Sequence, residues 1–280
     1  MIRHAPSIGI GIGLSLRSQG SAFRGLLDQY SGAAAAYSLR ALSSGWLAGD
    51  VVRARRVNTP GEANFTAGQV ANGELATWAL SGDAFVTTWY DQSGNANNAT
   101  QATTTLQPKI VSAGTLVVGG LDFDGVDDFM DTTYSAGTAS AQSLFTVFKA
   151  DIVDGNFRTH LDGRDANDDG IGFGILDSFG FRFHVDTADT LALANTNKEL
   201  LTGIYGSSAS AIYQKGSLAA SSAAPASISG VTSSYLIGKS PSGGITTFNG
   251  TVSEIIIYNT DQSADRVGIE ANINAAYSIY

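Results

Sequence analysis

"FGFRFHVD", residues 179–186, alternates Phe179, Phe181, Phe183 and Val185 with Gly180, Arg182 and His184. A period of two puts these sets on opposite faces of an extended strand, and the phenylalanine face needs a second layer to cover it. His184 falls on the other, solvent-exposed face in this reading. Strand signals of the same kind recur on both sides: "TLVVGGLDFDG" (115–125), "QSLFTVFKA" (142–150), "GIGFGIL" (170–176), "LLTGIYGS" (200–207), "SAIYQKG" (210–216), "SSYLIGKS" (233–240) and "FNGTVSEIIIYNT" (248–260). Gly, Asn and Ser turns separate them. Regular short strands with tight turns specify an all-β chain, a two-sheet antiparallel sandwich.

Composition agrees. The 280 residues include 33 glycines and only 5 prolines, and 43% are hydrophobic, enough for one large sandwich or two small domains. A net charge of -9 disfavours nucleic acid, whose binding depends on neutralising phosphates. A neutral glycan or a protein surface is the easier partner. The absence of cysteine excludes disulfides, Cys-ligated zinc and a thiol nucleophile. No stretch approaches the roughly 20 apolar residues of a membrane span. The N-terminus lacks a continuous apolar signal region, so a soluble protein without an export signal is expected.

Residues 1–30 stand apart as an extended Gly-rich arm in which "SIGIGIGLSL" alternates small residues with aliphatics. Two readings stay open: a first strand of the main domain, or an arm that pairs with another subunit. No dinucleotide-binding βαβ unit surrounds "GIGIG". Residues 31–280 form the main domain. "SGAAAAYSLRALSSGWL" (31–47) is the first helix candidate, with Ser31 as N-cap and Gly45 as stop. "DVVRARRV" (50–57) and "AFVTTWYD" (84–91) read as strands, and "GELATWAL" (73–80) as a short helix. The three arginines of 50–57 are expected to meet acidic neighbours. A C-terminal helix starts near the cap Ser263, with Asp265 in its first turn, and aligns Ile269, Ile273, Ala276, Tyr277 and Tyr280 on one face.

"LDFDGVDDFM" (121–130) and "FNGTVSEIIIYNTDQSADRVGIEANINAAY" (248–277), with the strands between, resemble concanavalin A-like, laminin-G-type jelly rolls. "AYSLRAL" (36–42), "TTWYDQSGNANNATQ" (87–101) and "QPKIV" (107–111) narrow this. They resemble the catalytic domain of the arabinofuranosidase B family and its noncatalytic relatives in tailed-phage virion proteins. The resemblance covers residues 33–280 and implies a jelly roll. It also implies where catalytic carboxylates would stand: a nucleophilic Glu near 170–180 and an acid near 235–244. The first stretch holds no Glu, only Asp177, and the second offers Lys239 and Ser240. Retaining glycosidases need two carboxylates about 5 Å apart, so the scaffold is expected without the enzyme. The family's cysteines are missing too.

Sugar recognition uses an aromatic platform with amide and carboxylate partners, and Trp89, Tyr90, Asp91, Gln92, Asn95 and Asn97 supply these types within nine positions. The competing reading makes Trp89 core and Asp91 the cap of the turn amides. Asp165, Asn167, Asp169 and Gly170 match the first half of a Ca²⁺ loop, but its twelfth position is Leu176 instead of Glu. An ordinary acidic hairpin fits the same residues. In "DFDGVDD" (122–128) a structural turn is favoured over an ion: Phe123 points inward, Gly125 turns and the aspartates bond turn amides. His4, His160 and His184 have no triad or zinc spacing.

The function expected is that of a virion structural protein of a tailed phage or phage-like particle. It would be a decoration or adhesion module at the particle surface that binds host surface polysaccharide. The arm would dock it to capsid or tail proteins or form a homo-oligomer, with a trimer one arrangement open to it. The alternatives are an arabinofuranosidase-type hydrolase and a cement protein with no ligand.

Overall fold

In the computed structural model Phe181, Phe183 and Val185 of the strand Gly180–Val185 lie in the core, as their period requires. The structure describes residues 23–280 except 136, 139, 166, 168, 177–179, 186–187, 207–208, 224–227, 229–232 and 242–245. Phe179 and the segment 1–22, which holds most of the expected arm, therefore lie outside the described residues.

Two layers of one hydrogen-bonded ladder face each other. The first runs Ser217–Ala223, Ala209–Gln214, Lys198–Gly206, Ala141–Ala150 and Asn249–Tyr258 in spatial order. Beyond it, Ala33–Ser38 pairs with residues 254–258 and Leu121–Asp124 with residues 249–252. The second layer begins with Ala188–Leu193, Gly180–Val185, Ile171–Leu176 and Arg158–Asp162. It continues through the short strands Leu236–Ile237, Met130–Thr132 and Ala99–Thr100 to Ala84–Trp89, Asp50–Arg56 and Gly61–Thr66. Lys109–Ser112 pairs with both Ala84–Trp89 and Leu121–Asp124 and joins the layers along one side. These pairings are antiparallel; Thr246–Thr247 adds a short parallel contact to Arg158–Asp162.

Aromatic side chains fill the space between the layers. Phe148 meets Phe181 edge-on at 5.2 Å, and a side chain at Gly203 would run into the Phe183 ring. Each large apolar side chain buried here contributes roughly 1.5–3 kcal/mol. His160 is buried among them, stacked on Phe148 at 4.0 Å, and burial pushes its pKa down to about 3. It is therefore a neutral core residue.

A third layer covers the outer face of the first sheet. Ile269 and Ile273 of the helix Arg266–Tyr277 pack on Phe145, Val147, Leu200, Ile256 and Tyr258. The helix starts at Arg266 with no side-chain cap, and Ser263 bonds Asp261 instead. It stops at Tyr277, where Ser278 turns left-handed (φ 50°), so Ala276 and Tyr280 stay exposed and do not extend the buried face.

The helix expected over 31–47 is not formed. Ala33–Ser38 is a strand, flanked by the short helix Leu26–Gln29 and a 3₁₀ turn at Ser44–Trp46. Ala35 and Tyr37 enter the main core, while Ala33 and Ala36 lie under the helices. Alanine's helix preference is at most about 0.7 kcal/mol per ordinary residue. Burial on both faces outweighs it, and small side chains let the helical layer approach. Leu26 is buried against the C-terminal helix layer and Leu27 N–H donates to the Leu42 carbonyl at 2.8 Å. The domain thus begins before residue 31.

Candidate functional site

The strand Ala84–Trp89 ends with Trp89 turned into the core, fully buried and 5.7 Å from the Tyr37 ring. It offers no sugar platform. Tyr90 faces the other way, half-buried, with its hydroxyl donating to Asn64 Oδ1 at 3.1 Å. Asp91, 1% exposed, accepts four hydrogen bonds: from the amides of Ala36 (2.8 Å), Ser93 (2.9 Å) and Asn97 (2.9 Å) and from the Ser93 hydroxyl (2.7 Å). It caps its own turn and ties that turn to the alanine strand. Gln92, also buried, accepts from Leu42 N–H at 2.9 Å and donates to the carbonyls of Ser38 and Arg40. Of the six predicted ligand residues, Trp89, Asp91 and Gln92 are thus committed to the fold.

A second knot lies at the same strand. Glu254, fully buried, accepts from Arg40 Nε (2.7 Å) and Nη2 (2.8 Å), from the Ser38 hydroxyl (2.8 Å) and from the Tyr277 hydroxyl (3.1 Å). "AYSLRAL", "WYDQSGN" and the Glu of "NGTVSEIIIY" therefore meet in one buried polar network. Such a network is stable only when its members are all satisfied.

Asn95 and Asn97 remain near solvent. With Gly32, Ala33, Ala34, Ser93, Tyr134 and Asn259 they line an open cleft of about 460 Å³. Asn97 Nδ2 donates to the Ala34 carbonyl at 2.9 Å and its Oδ1 accepts from Thr133 at 3.3 Å. Asn259 follows the last strand of the first sheet, and nothing in the spacing of the sequence joins it to residues 93–97.

The region that corresponds to the expected carboxylates is the outer face of the second sheet. Gly172 lies between Asp162 and His184, and Gly174 pairs with Arg182. Alternation in "GIGFGIL" sends Ile171, Phe173 and Ile175 inward and leaves a glycine floor outside. A Cβ on Gly172 would sit 2.7 Å from Asp162 Oδ1, and one on Gly174 3.1 Å from the Phe157 ring. Asp162 is fully buried and engages Arg164 through Nε (2.9 Å) and Nη2 (2.6 Å), with Ser240 Oγ 3.3 Å from that Nη2. The guanidiniums of Arg164 and Arg182 lie 5.5 and 4.9 Å from the Phe157 ring centre. His184 is 3% exposed, against the expectation that it faces solvent, because this outer face is itself covered. Its Nδ1 is 2.7 Å from Asp189 Oδ1, which also takes Arg182 Nε. Against the penalty of burial, hydrogen bonds from His184 and Arg182 hold the Asp189 carboxyl below its usual range. Lys239 is exposed with its ammonium 4.7 Å over the Phe129 ring, and Asp177 lies outside the described residues.

In the predicted Ca²⁺ loop, Asp165 Oδ1 accepts from the amides of Asn167 (2.8 Å) and Asp169 (3.2 Å), and Asp165 N–H donates to the Asp169 carbonyl. These bonds close a hairpin turn. Asp124, Asp127 and Asp128 do bring carboxylate oxygens within 4.8 Å of one another. Here too the acids serve the turn: Asp124 accepts from Val126 N–H, Asp128 from Asp124 N–H, and Gly125 takes φ +76°. Phe123 points into the core as expected. Burial, with Asp124 and Asp127 beside it, pushes Asp128 up to about 7. The arginines of 50–56 find mixed partners: Arg53 pairs with Glu62 at 2.8 Å, while Arg55 and Arg56 donate to Gln107 and to backbone carbonyls.

The same architecture occurs in glycoside hydrolases. An α-L-arabinofuranosidase of glycoside hydrolase family 54, soaked with a cyclic sulfate inhibitor, matches 87% of this chain with a TM-score of 0.63 at 17% identity. The fold is the arabinofuranosidase jelly roll. An arabinofuranosidase complexed with arabinofuranosyl-α-1,2-xylobiose matches equally well, with a TM-score of 0.62 at 17% identity. The chain spans 63% and 62% of these two enzymes. No protein-family model and no curated protein sequence matches it.

Proposed function

We propose that this chain is a non-hydrolytic carbohydrate-recognition module built on the arabinofuranosidase jelly roll. The observation that carries the reading is the state of the expected catalytic face. Where a retaining hydrolase needs a nucleophile and an acid about 5 Å apart on an open floor, Asp162 is neutralised by Arg164 and Ser240 lies beside the pair. Asp189 is held by Arg182 and His184 on the same face. Glu254 and Glu270, buried elsewhere, face Arg40 and Arg266. A shared fold does not carry activity, which resides in the site.

The setting we propose is the surface of a tailed phage or phage-like particle, with host polysaccharide as ligand. The resemblance of "WYDQSGN" to the noncatalytic relatives in phage virion proteins supports it. In this setting the Gly-rich segment ahead of Leu26 docks the module to capsid or tail proteins or joins copies into an oligomer. A glycan array paired with a reducing-sugar assay tests the recognition reading. Retention of one glycan class without sugar release is the expected result. Turnover restores the hydrolase, and an absence of any binding leaves the cement protein.

A further inference from the structure

We propose that the cleft between residues 32–34, 93–97, Tyr134 and Asn259 is the glycan site, and that it takes a neutral sugar through two half-anchored amides, Asn95 and Asn259. This rests on the recognition reading above and assigns it a place and a chemistry.

The amide of Asn95 is fixed from one end. Its Nδ2 donates to the carbonyls of Ala33 (3.0 Å) and Ala34 (3.1 Å) and to Ser93 Oγ (3.1 Å). Among the described residues nothing donates to its Oδ1. Asn259 is anchored in the opposite sense. Its Oδ1 accepts from the Tyr134 hydroxyl and from Gln142 Nε2 (3.3 Å), and its Nδ2 has no acceptor among the described residues. Tyr134 is itself held, stacked on Tyr235 at 5.4 Å. Both asparagines are exposed on the cleft wall. The cleft therefore offers one oriented acceptor and one oriented donor, with side-chain ordering already met by the fold.

A sugar hydroxyl both donates and accepts, so neighbouring hydroxyls of one ring complement this pair. Charge decides which sugars fit. None of the eight lining residues is charged, while the chain as a whole carries -9. A uronic or sialic acid would find no cation here and would meet a repelling field. Gly32, Ala33 and Ala34 leave one wall low enough for the carbon face of a ring.

Asn259→Asp is the discriminating variant. It keeps an oxygen for Tyr134 and Gln142 but replaces the free donor with an acceptor. The full chain would be tested by calorimetry against the glycan that wild type retains from an array of neutral arabino-, xylo- and galacto-oligosaccharides, trigalacturonate and sialyllactose. Thr87→Ala, in a different surface groove, serves as control. The expected result is that wild type retains neutral oligosaccharides, that N259D loses at least tenfold in affinity with an unchanged near-UV spectrum, and that T87A binds like wild type. Equal affinity of N259D and wild type for a neutral glycan overturns the location and leaves the recognition reading intact. Preference for trigalacturonate or sialyllactose overturns the chemistry. Retention of no glycan by wild type overturns the recognition reading itself and this inference with it.

Discussion

Asp91 shows how one carboxylate holds two distant segments together. Its four donors come from its own turn and from Ala36, 55 residues earlier. Replacing it with alanine leaves buried amides without acceptors, a loss of about 3 kcal/mol. Urea denaturation of D91A should show the unfolding free energy falling by that amount, as a lower midpoint at unchanged slope; a change within about 0.5 kcal/mol would contradict the role. Asp128 should act with the opposite sign. Its folded pKa, about 7, is raised above the unfolded value near 3.8. The contribution it makes is thus fully present below pH 4 and is lost as pH rises through 7. D128N should therefore raise the melting temperature over wild type at pH 8, and the difference should shrink towards pH 4. A gap that does not vary with pH would contradict the assignment. At this scale the sequence was informative about Asp91, whose Asx turn is a local event. It was silent on Asn259, because a cleft joins residues that only the fold brings together.

Single elements were legible where their pattern had one solution. "GIGFGIL" and "FGFRFHVD" carry a period of two that only a strand satisfies, and Ile171–Leu176 pairs with Gly180–Val185. "AAAAYS" had two solutions. Local propensity favours a helix, while the strand it pairs with lies some 220 residues away in Asn249–Tyr258 and the core and the helical layer bury its two faces. His184 departs from its expected exposure for a related reason: alternation fixes which faces exist, not what covers the second one. Phe157, Arg182 and Asp189 cover it. The tight layer spacing gives a check at this scale. Gly203→Ala places a methyl carbon 2.3 Å from the Phe183 ring, within a core that has no room to yield. The expected destabilisation is about 1–3 kcal/mol, read as a lower thermal midpoint. An unchanged midpoint would mean that the layers are farther apart than described.

Across the whole molecule, two of the blocks that carry the arabinofuranosidase resemblance and the Glu of the late jelly-roll strand converge on structure rather than chemistry. Arg40, Gln92 and Glu254 belong to a buried network that pins the alanine strand between the helical layer and the core. This accounts for how a chain can keep the scaffold's fingerprints while the outer face of its second sheet is closed by Arg164 and Arg182. Mass spectrometry of a bound glycan tests this most directly. After prolonged incubation of the full chain with the oligosaccharide it retains from an array, the account predicts that the glycan is recovered bound and intact. Recovery of a shortened glycan with a released monosaccharide would contradict it.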